Sequence, residues 1–346
     1  MPFGMVTKCA LDVLSVERSV RMWPSECGGR VEDRGTEKIL AKGNEAIAMA
    51  ALDVGCLLYF GYPITPQNDI PEYLSKHLPA LGGEFIQAES EIASINLLLG
   101  ASATGTRAMT SSSSPGISLM QEGISYMAGS ELPCVIINIS RSGPGLGGIS
   151  PSQGDYFQAT RGGGHGDYRM IVLAPSTVQE MYDLTFLAFD LSDKYRNPAM
   201  ILGDALIGQM KEPLIRRGPE KMDLPPKDWA LTGAKERNPN RIKSLYLQDG
   251  ELSEHNWKLY RKYELMKKEE VRFEIFKGED AQLVIAAFGS IARVSKTSVE
   301  MAREEGMKVG LLRPITLFPF PERAFHQLSK RVKLFLTVEL NTGQMV

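Results

Sequence analysis

The sequence predicts an α/β protein built on a parallel sheet that is covered by helices on both faces. Short, continuously apolar segments, such as residues 57–61 and 134–139, alternate with longer segments of helical composition, such as residues 45–54. Strands that are buried on both faces of a sheet are apolar along their whole length and do not alternate in polarity. The alternation of such strands with helices therefore favours a parallel, doubly covered sheet.

The predicted elements form two α/β units separated by a charged stretch. In the first unit we expect strands at residues 57–61, 85–87, 108–110, 134–139, 170–173 and 199–202, and helices at 45–54, 90–101, 118–128 and 178–193. In the second unit we expect strands at 282–287, 309–312 and 333–339 and a helix at 293–305. The stretch between them is rich in Pro, Lys, Arg and Glu, which indicates an exposed linker with a short strand at 244–247 and a charged helix at 254–268.

These elements divide the chain into four regions. Residues 1–36 lack a sustained period, and we interpret them either as a poorly ordered N-terminal extension or as an upstream start that is not native. Residues 37–211 are predicted to form the first domain, residues 212–275 the linker, and residues 276–346 a smaller second domain. Because the second domain stops within a few residues of a predicted strand, we expect it to be incomplete.

The composition excludes several classes of protein. A chain of 346 residues that is 43% hydrophobic and 23% charged has the composition of a globular protein rather than of a disordered or fibrous one. The net charge of −2 argues against general binding to nucleic acid, which requires a basic face. The apolar runs are too short to span a membrane, and the first residues show no signal-peptide pattern, so we expect a cytoplasmic protein with neither membrane nor nucleic acid as a partner.

The four cysteines, Cys9, Cys27, Cys56 and Cys134, are scattered singly along the chain. Without a C-x-x-C pair, the sequence offers neither a zinc site nor a loop that holds an iron–sulfur cluster. Cys56 and Cys134 lie in apolar segments, and we interpret them as small core residues. The sequence therefore predicts no metal site on this chain.

Three polar motifs follow predicted strands, at the edge of the sheet where open α/β folds bind ligands. The GYPITP motif at residues 61–66 follows the first strand, and Thr65 is predicted to cap a helix whose first position is the next proline. Glu89 and Glu91 follow the next strand at the mouth of a helix, where a carboxylate ordinarily complements the helix dipole. The run TSSSSP, which contains Ser113, follows the third strand, and such a run often satisfies its own backbone in a turn.

Further polar and glycine-rich positions follow the fourth strand. Arg141 ends that strand, and its planar guanidinium is suited to bind a carboxylate. Gly143, Gly145 and Gly148 match the G-x-G-x-x-G pattern of dinucleotide-binding loops, but the residues after them do not open a helix, so the match is weak. His165 lies in a second glycine-rich loop, where we weigh a functional and a structural role equally.

In their order along the chain, these motifs resemble one family. The segments are GNEAIAMAA, FGYPITPQNDIPEYL, FIQAESEIASI, MTSSSSPGISLMQEGISYMAG, ELPCVIINISRSGPGLGG and APSTVQEMYDLTFLAFD, followed by LLRPITLFPFP and TVELNTGQMV. From about residue 38 to residue 346 they resemble the alpha-type subunit of the 2-oxoacid:ferredoxin oxidoreductases. The segments SSSSPGIS, PGLGGISPSQGDYFQAT and RGGGHGDY are most similar to the branched-chain member, which acts on 2-oxoisovalerate (3-methyl-2-oxobutanoate).

The resemblance implies a fold and an activity. The implied fold is a thiamine-diphosphate-binding domain of the pyrimidine type, followed by a smaller domain similar to the C-terminal domain of transketolase. The implied activity is oxidative decarboxylation of a 2-oxoacid to its acyl-CoA and CO2 with reduction of ferredoxin. Thiamine diphosphate is the implied cofactor, and coenzyme A accepts the acyl group.

The resemblance also implies roles for residues at the sheet edge. Glu91 corresponds to the carboxylate that contacts N1′ of the cofactor's pyrimidine ring, with Glu89 as the alternative. Thr65 and Arg141 correspond to the residues that meet the keto oxygen and the carboxylate of the 2-oxoacid. The pyrimidine end of the cofactor is expected to contact four further residues, Tyr62, Pro63, Ile64 and Ser113.

One motif of thiamine enzymes is missing from this sequence. These enzymes hold the diphosphate through Mg²⁺ bound to a G-D-G segment with an asparagine downstream, and the only candidate here is the Gly-Asp-Ala segment at residues 203–205. The resemblance therefore implies that a diphosphate-binding beta subunit completes the site and that the isolated chain is inactive. Mg²⁺ and the iron–sulfur clusters are expected on partner chains, which also include a gamma subunit and a ferredoxin-like subunit.

Three alternatives stand beside this interpretation. A nucleotide-binding oxidoreductase would use the G-x-G-x-x-G match, which lacks the following helix and an acidic residue at the right distance. A non-catalytic assembly subunit would keep the fold without the chemistry. Within the family, the substrate would be 2-oxoglutarate, pyruvate or an indolyl 2-oxoacid instead of a branched-chain one.

Overall fold

Two sheets, of seven and four strands, organise the part of the chain that the computed structural model describes, residues 37–218 and 222–346. The extension predicted for residues 1–36, with Cys9 and Cys27, lies outside the described residues. The strands are β1 (Glu37–Lys42), β2 (Leu58–Gly61), β3 (Glu84–Gln87), β4 (Ala108–Ser112), β5 (Cys134–Ser140), β6 (Ile171–Leu173), β7 (Pro198–Asp204), β8 (Lys211–Arg216), β9 (Phe273–Phe276), β10 (Leu283–Ala286), β11 (Val309–Pro314), β12 (Thr316–Phe318) and β13 (Leu334–Thr337). The helices are α1 (Gly43–Asp53), α2 (Asp69–His77), α3 (Glu91–Ala103), α4 (Ser114–Gly129), α5 (Tyr156–Arg161), α6 (Val178–Tyr195), α7 (Ala205–Gln209), α8 (Glu251–Glu269), α9 (Gly289–Glu304) and α10 (Glu322–Ser329), with a short 3-10 turn at Pro79–Leu81.

The larger sheet has the strand order β12-β6-β7-β5-β4-β2-β3. Its strands pair in parallel, except that β12 runs antiparallel to β6. The central strands β5 and β7 are buried at every position. Because successive side chains of a strand point to opposite faces, this burial means that both faces of the sheet are covered. The parallel, doubly covered sheet predicted from the apolar strands is confirmed.

The smaller sheet has the strand order β13-β10-β11-β9, in which β9 is antiparallel to β11. The chain passes directly from this sheet to the larger one, because β11 ends at Pro314 and β12 begins at Thr316. The expected division between residues 275 and 276 falls inside β9. Strands β1 and β8 form a separate antiparallel pair.

A buried ion cluster lies where the two sheets meet. Nη1 of Arg313, in β11, donates to Oε1 of Glu180 in α6 at 3.0 Å and to Oε2 of Glu274 in β9 at 3.2 Å. The three side chains are only 4%, 14% and 8% exposed. Burial favours a higher pKa for Glu180, but the charge and hydrogen bonds of Arg313 outweigh it and hold that pKa below its ordinary value. The cluster therefore ties α6 of the larger domain to two strands of the smaller sheet.

One prediction for the linker is wrong. Residues 244–247 form no strand, because Leu245 and Leu247 are 68% and 83% exposed and the segment has no buried face. Most of the linker is exposed, and the expected charged helix is present as α8, which packs against the protein through Leu259, Tyr263 and Met266. Among the described residues, no helix combines the length and apolar character that crossing a membrane requires.

We expect Arg313→Ala to destabilise the protein by about 3–5 kcal/mol, because the substitution leaves the buried carboxylate of Glu180 without its counter-charge and that of Glu274 with Lys296 alone. Equilibrium unfolding in urea measures this loss. Lys76→Ala is the matched control: Lys76 and Glu72 form an ion pair in α2 whose side chains are 63% and 65% exposed, and removing it should cost at most about 0.5 kcal/mol. Equal losses in the two variants would contradict the role of the cluster.

Candidate functional site

The ends of β2, β4, β5 and β7 meet at one edge of the larger sheet, because neighbouring parallel strands point the same way. The turn that contains Thr65 follows β2, Ser113 follows β4, Arg141 follows β5, and Asp204 ends β7. Glu91 begins α3, which follows β3 at the same edge. The structure thus brings together the main positions that the sequence singled out.

Glu91 is a buried carboxylate, 6% exposed, at the first position of α3. The helix start is fixed by Ser90, whose Oγ accepts a hydrogen bond from the backbone N–H of Ala93 at 3.1 Å. No described residue donates a hydrogen bond to the Glu91 carboxylate. Buried charges are ordinarily paired, so this carboxylate is placed to meet a polar ligand. Glu89, two residues earlier, is exposed.

Gly116 gives the Glu91 side chain its space. A Cβ atom added to Gly116 in the first turn of α4 would lie 2.5 Å from Oε1 of Glu91, 3.0 Å from its Cγ and 2.0 Å from Oγ of Ser112. These distances are shorter than van der Waals contact, so a side chain at position 116 would force Glu91 or Ser112 to move. Sequence reasoning did not identify Gly116, because its requirement depends on α3 approaching α4.

Three buried hydroxyl groups of the TSSSSP run have no hydrogen-bond partner among the described residues, those of Thr110, Ser112 and Ser113. The fourth, Ser111, is engaged: its Oγ donates to Oε1 of Gln67 at 2.5 Å and lies 2.7 Å from the hydroxyl of Tyr59. The hydroxyl groups of Thr110, Ser112 and Ser113 therefore do not bind the run's own backbone, as they would in an ordinary turn. These buried hydroxyls, with Ser112 close to the Glu91 carboxylate, form a polar site suited to a polar ligand.

Hydrogen bonds to its backbone carbonyl groups hold the turn after β2 in place. The carbonyl of Thr65 accepts from Nη1 of Arg141 at 2.9 Å, and that of Pro66 accepts from Nδ2 of Asn44 at 2.9 Å and Nε2 of Gln209 at 2.8 Å. The prediction that Thr65 caps a helix beginning at Pro66 is wrong, because α2 begins only at Asp69. Tertiary hydrogen bonds to the carbonyls, rather than a helix start, fix this turn.

The outer side of the same turn is open. The side chains of Tyr62, Pro63 and Thr65 are exposed and that of Ile64 is half-buried. They lie at the ligand-binding edge of the sheet with no partner that covers them among the described residues.

A polar cluster of four residues supports the turn from below. The carboxylate of Asp69 accepts from Nζ of Lys42 at 2.7 Å, Nδ2 of Asn44 at 2.9 Å and Nε2 of Gln209 at 2.8 Å. Burial favours a higher pKa for Asp69, but these hydrogen bonds outweigh it and lower that pKa, and the hydrogen bond to Asp69 raises the pKa of Lys42. Sequence reasoning missed this cluster, because its members lie far apart along the chain.

Arg141 is a buried cation, 8% exposed, without an ionic partner among the described residues. Besides Thr65, its guanidinium donates through Nη2 to the carbonyl of Leu146 at 3.3 Å, and its Nε has no partner. Its backbone N–H donates to Oγ of Ser114 at 3.0 Å. A buried guanidinium with uncompensated charge favours an anionic ligand nearby.

The carboxylate of Asp204, in the Gly-Asp-Ala segment at residues 203–205, is fully used by the protein itself. Its Oδ1 accepts from the backbone N–H groups of Leu206 at 2.9 Å and Ile207 at 3.1 Å and thereby caps α7. Its Oδ2 accepts a short hydrogen bond from Ser290, and burial raises its pKa. Among the described residues, no group of three or more His, Cys, Asp and Glu side chains is arranged to hold a metal ion.

The two glycine-rich loops have different positions. After the G-x-G-x-x-G match, the next helix is α5, which begins only at Tyr156, so no helix N-terminus faces the loop as a dinucleotide fingerprint requires. His165 lies beside α4, where its carbonyl accepts from Oγ of Ser125 at 2.7 Å and its ring meets that of Tyr126 edge-on. Tyr126 is ten residues, or about 15 Å along the helix, from Gly116. The structure does not bring His165 into the site.

An open cleft of about 770 Å³ borders the turn that contains Thr65. Its walls come from this turn, from the loop after Arg141 and from α7. The lining includes Thr65, Pro66, Ile149, Pro151, Leu206 and Met210. The cleft is therefore next to both polar residues. Thr65 lines it, and Arg141 is hydrogen-bonded to the carbonyl of Thr65.

Sequence comparison identifies what the chain is similar to. Residues 49–270 match the family model described as pyruvate flavodoxin/ferredoxin oxidoreductase, thiamine diphosphate-binding, and residues 281–346 match pyruvate:ferredoxin oxidoreductase core domain II. The chain is 52% identical to ketoisovalerate oxidoreductase subunit VorB of Methanothermobacter marburgensis over 88% of this chain and 87% of the relative. It is 40% identical to 2-oxoglutarate synthase subunit KorA of Archaeoglobus fulgidus over 90% of each.

A solved structure has the same architecture. It is the 2-oxoglutarate:ferredoxin oxidoreductase from Magnetococcus marinus with 2-oxoglutarate, coenzyme A and succinyl-CoA bound, which superposes with a TM-score of 0.82 at 27% identity. The match covers 89% of this chain, and this chain spans 59% of the length of that one. The fold predicted from the sequence, a thiamine-enzyme domain followed by a smaller α/β domain, is thereby confirmed.

We expect Gly116→Ala to displace the Glu91 side chain, because the new methyl group would overlap its carboxylate and the hydroxyl of Ser112. The resulting strain should destabilise the protein by about 1–3 kcal/mol. A crystal structure of the variant gives the position of Glu91, and urea unfolding gives the loss of stability.

Gly100→Ala is the matched control for this prediction. Gly100 is an exposed residue of α3, and a Cβ atom there would meet nothing within 4 Å. This variant should be more stable by about 0.4–1 kcal/mol, because alanine reduces the entropy of the unfolded chain. An unmoved Glu91 and unchanged stability in Gly116→Ala would refute the steric requirement.

Proposed function

Because the chain belongs to the pyruvate flavodoxin/ferredoxin oxidoreductase family, we propose that it is the subunit of a 2-oxoacid:ferredoxin oxidoreductase that holds the aminopyrimidine end of thiamine diphosphate. The observation that carries the proposal is Glu91, a buried carboxylate without a partner among the described residues, which lies against Gly116 at the ligand-binding edge. A carboxylate in this setting is stabilised by a ligand that shares a proton with it.

The residues around Glu91 fit the pyrimidine end of this cofactor. The Glu91 carboxyl hydrogen-bonds to N1′ and holds a proton there, while the free hydroxyls of Ser112 and Ser113 supply further polar contacts. Tyr62, with Pro63 and Ile64 beside it, covers the ring from the turn after β2 and excludes water. Bound thiamine diphosphate supplies the electron sink that decarboxylation of a 2-oxoacid requires.

Thr65 and Arg141 are the proposed contacts of the 2-oxoacid. The exposed hydroxyl of Thr65 donates to the keto oxygen, and the charge of Arg141 attracts the carboxylate. The 2.9 Å hydrogen bond from Arg141 to the Thr65 carbonyl supports this pairing, because it fixes the two residues relative to each other. Arg141 thus has two roles: it orients the turn that contains Thr65, and it neutralises the charge of the substrate's carboxylate.

In the proposed complex, partner subunits supply the sites for the diphosphate, Mg²⁺ and the iron–sulfur clusters. Asp204 is occupied as a helix cap, so the diphosphate and its Mg²⁺ are assigned to a diphosphate-binding beta subunit. Cys56 and Cys134 are buried singly, and burial raises the pKa of the Cys56 thiol to about 12, so neither suits an iron–sulfur cluster. The clusters are assigned to partners that include a gamma and a ferredoxin-like subunit. Coenzyme A accepts the acyl group, and we place the complex in the cytoplasm.

We propose a branched-chain 2-oxoacid, 2-oxoisovalerate, as the substrate. This choice is supported by the 52% identity to a ketoisovalerate oxidoreductase subunit, against 40% to a 2-oxoglutarate synthase subunit over a similar length. 2-Oxoglutarate is the second candidate, because relatives named for it cover 90% of the chain.

We expect Glu91→Gln to lower kcat by about 10²–10⁴-fold in the assembled enzyme, because glutamine cannot take up the proton that a carboxylate shares with N1′. The variant is co-purified with its partners from source cells, and 2-oxoacid-dependent dye reduction is measured with several 2-oxoacids. Assembly should be unaffected, since the change keeps the shape of the side chain.

Glu89→Gln is the control for this experiment, because Glu89 lies two residues away and is exposed. It should retain kcat within about threefold, in the range of an ordinary surface change. Full activity of Glu91→Gln combined with loss of activity in Glu89→Gln would transfer the role to Glu89. Full activity of both variants would refute the proposed site.

We expect Arg141→Lys to raise the KM for the 2-oxoacid by about tenfold or more, because lysine replaces a fixed fork by a point charge and loses hydrogen bonds worth about 1.5–3 kcal/mol each. Initial-rate kinetics of the complex with varied 2-oxoacid measure the change. The KM for coenzyme A is the internal control and should stay constant. An unchanged KM for the 2-oxoacid would count against this contact.

A further inference from the structure

The cleft beside Thr65 has the size of an ordinary small-molecule site. Its volume of about 770 Å³ falls within the range of about 300–1,000 Å³ that such sites occupy. It is much larger than the carboxylate and keto group that Arg141 and Thr65 account for. Space therefore remains next to Thr65 for the rest of a substrate.

The walls of the cleft are mainly apolar. Leu206 of α7 and Ile149 of the loop after Arg141 are 40% and 66% exposed, so both side chains are uncovered where they line it. Met210 and Pro151 add further apolar surface. An aliphatic group in this space would remove these side chains from water, which favours binding.

No residue that lines the cleft offers the free positive charge that a second carboxylate requires. Asp69 is the only charged residue among those that line it, and no lysine or arginine does. The carboxylate of Asp69 is already bound by Lys42, Asn44 and Gln209, so it remains ionised. A dicarboxylate such as 2-oxoglutarate would bring its distal carboxylate to a cleft in which Asp69 and Lys42 already pair with each other, so it would find no free cation among the lining residues.

The wall that carries Leu206 is rigidly placed. Asp204 binds the N–H groups of Leu206 and Ile207, and it also accepts a hydrogen bond from Ser290. A Cβ atom on Gly43 would lie 2.2 Å from the carbonyl oxygen of Ile207, which shows how closely α7 approaches α1. Leu206 is therefore presented from a fixed backbone, as a residue that selects among ligands must be.

The opposite wall is linked to the carboxylate-binding residue. The guanidinium of Arg141 lies between the carbonyl of Thr65 and that of Leu146, which belongs to the same loop as Ile149. A 2-oxoacid held by Arg141 and Thr65 would therefore lie next to the cleft whose walls carry Ile149 and Leu206.

We propose that Leu206 and Ile149 are specificity-determining residues and that this cleft receives the aliphatic side chain of a branched-chain 2-oxoacid. The inference rests on the proposed function and adds the residues that select the substrate. Leu206 and Ile149 act through shape and the absence of positive charge, not through the chemical step.

The test introduces a cation on either wall, as Leu206→Arg and as Ile149→Lys, in the complex co-purified with its partners. The ratio of kcat/KM for 2-oxoisovalerate to kcat/KM for 2-oxoglutarate is measured by dye reduction. We expect this ratio to fall by about 100-fold in at least one variant, since one such pocket contact ordinarily discriminates by about 10–200-fold. Leu206→Met, which keeps the wall apolar, should leave the ratio within about threefold.

Met301→Arg is the matched control, because Met301 lies on α9, is 62% exposed and does not line the cleft. This variant adds the same charge and should leave the ratio unchanged. An unchanged ratio in both cleft variants overturns the inference. So does failure of both to bind partners that bind the wild type, because the cleft would then be a subunit contact. The proposed function itself fails if none of the 2-oxoacids tested supports dye reduction by the wild-type complex.

Discussion

Strands β5 and β7 pair in parallel over seven consecutive positions, from Cys134 opposite Pro198 to Ser140 opposite Asp204. Because both strands run the same way, Arg141 and Asp204 emerge side by side at one edge, and β4 and β2 add Ser113 and Thr65 to it. Residues that are distant in sequence become neighbours only through this pairing. The parallel direction of the sheet is thus the constraint on which the candidate site depends.

Four charged side chains at this edge fall into two kinds. Asp69 and Asp204 are satisfied by the protein itself, through side-chain partners and a helix cap, and they fix the turn after β2 and the start of α7. Glu91 and Arg141 lack an ionic partner among the described residues. Burying a charge is costly unless it is compensated. Asp69 and Asp204 therefore stabilise the structure around the site, whereas Glu91 and Arg141 are suited to bind a ligand.

The smaller domain forms hydrogen bonds that hold residues around the site in place. Gln153, in the loop after Arg141, exchanges two hydrogen bonds with the backbone of Leu340 and donates through Nε2 to the carbonyl of Phe288 at 2.8 Å. Ser290 binds the carboxylate of Asp204, and the ion cluster around Arg313 joins the two sheets. The loop and the helix that line the cleft are thus both anchored on the second domain, so the cleft depends on how the two domains pack.

The sequence by itself determined the parallel sheet, since continuous apolar runs such as Cys134–Ser140 carry their own signal, and it also placed Glu91 and Arg141 at the ends of strands. The short helices α5 and α7 and the strand β12 were not predicted, because segments this short have no period of their own and form against neighbours already in place. Tertiary structure alone decided that α2 begins at Asp69, that a side chain at position 116 would force Glu91 or Ser112 to move, and that Leu206 faces the cleft. Each of these depends on contacts between segments far apart in the chain, and local sequence contains no information about such contacts.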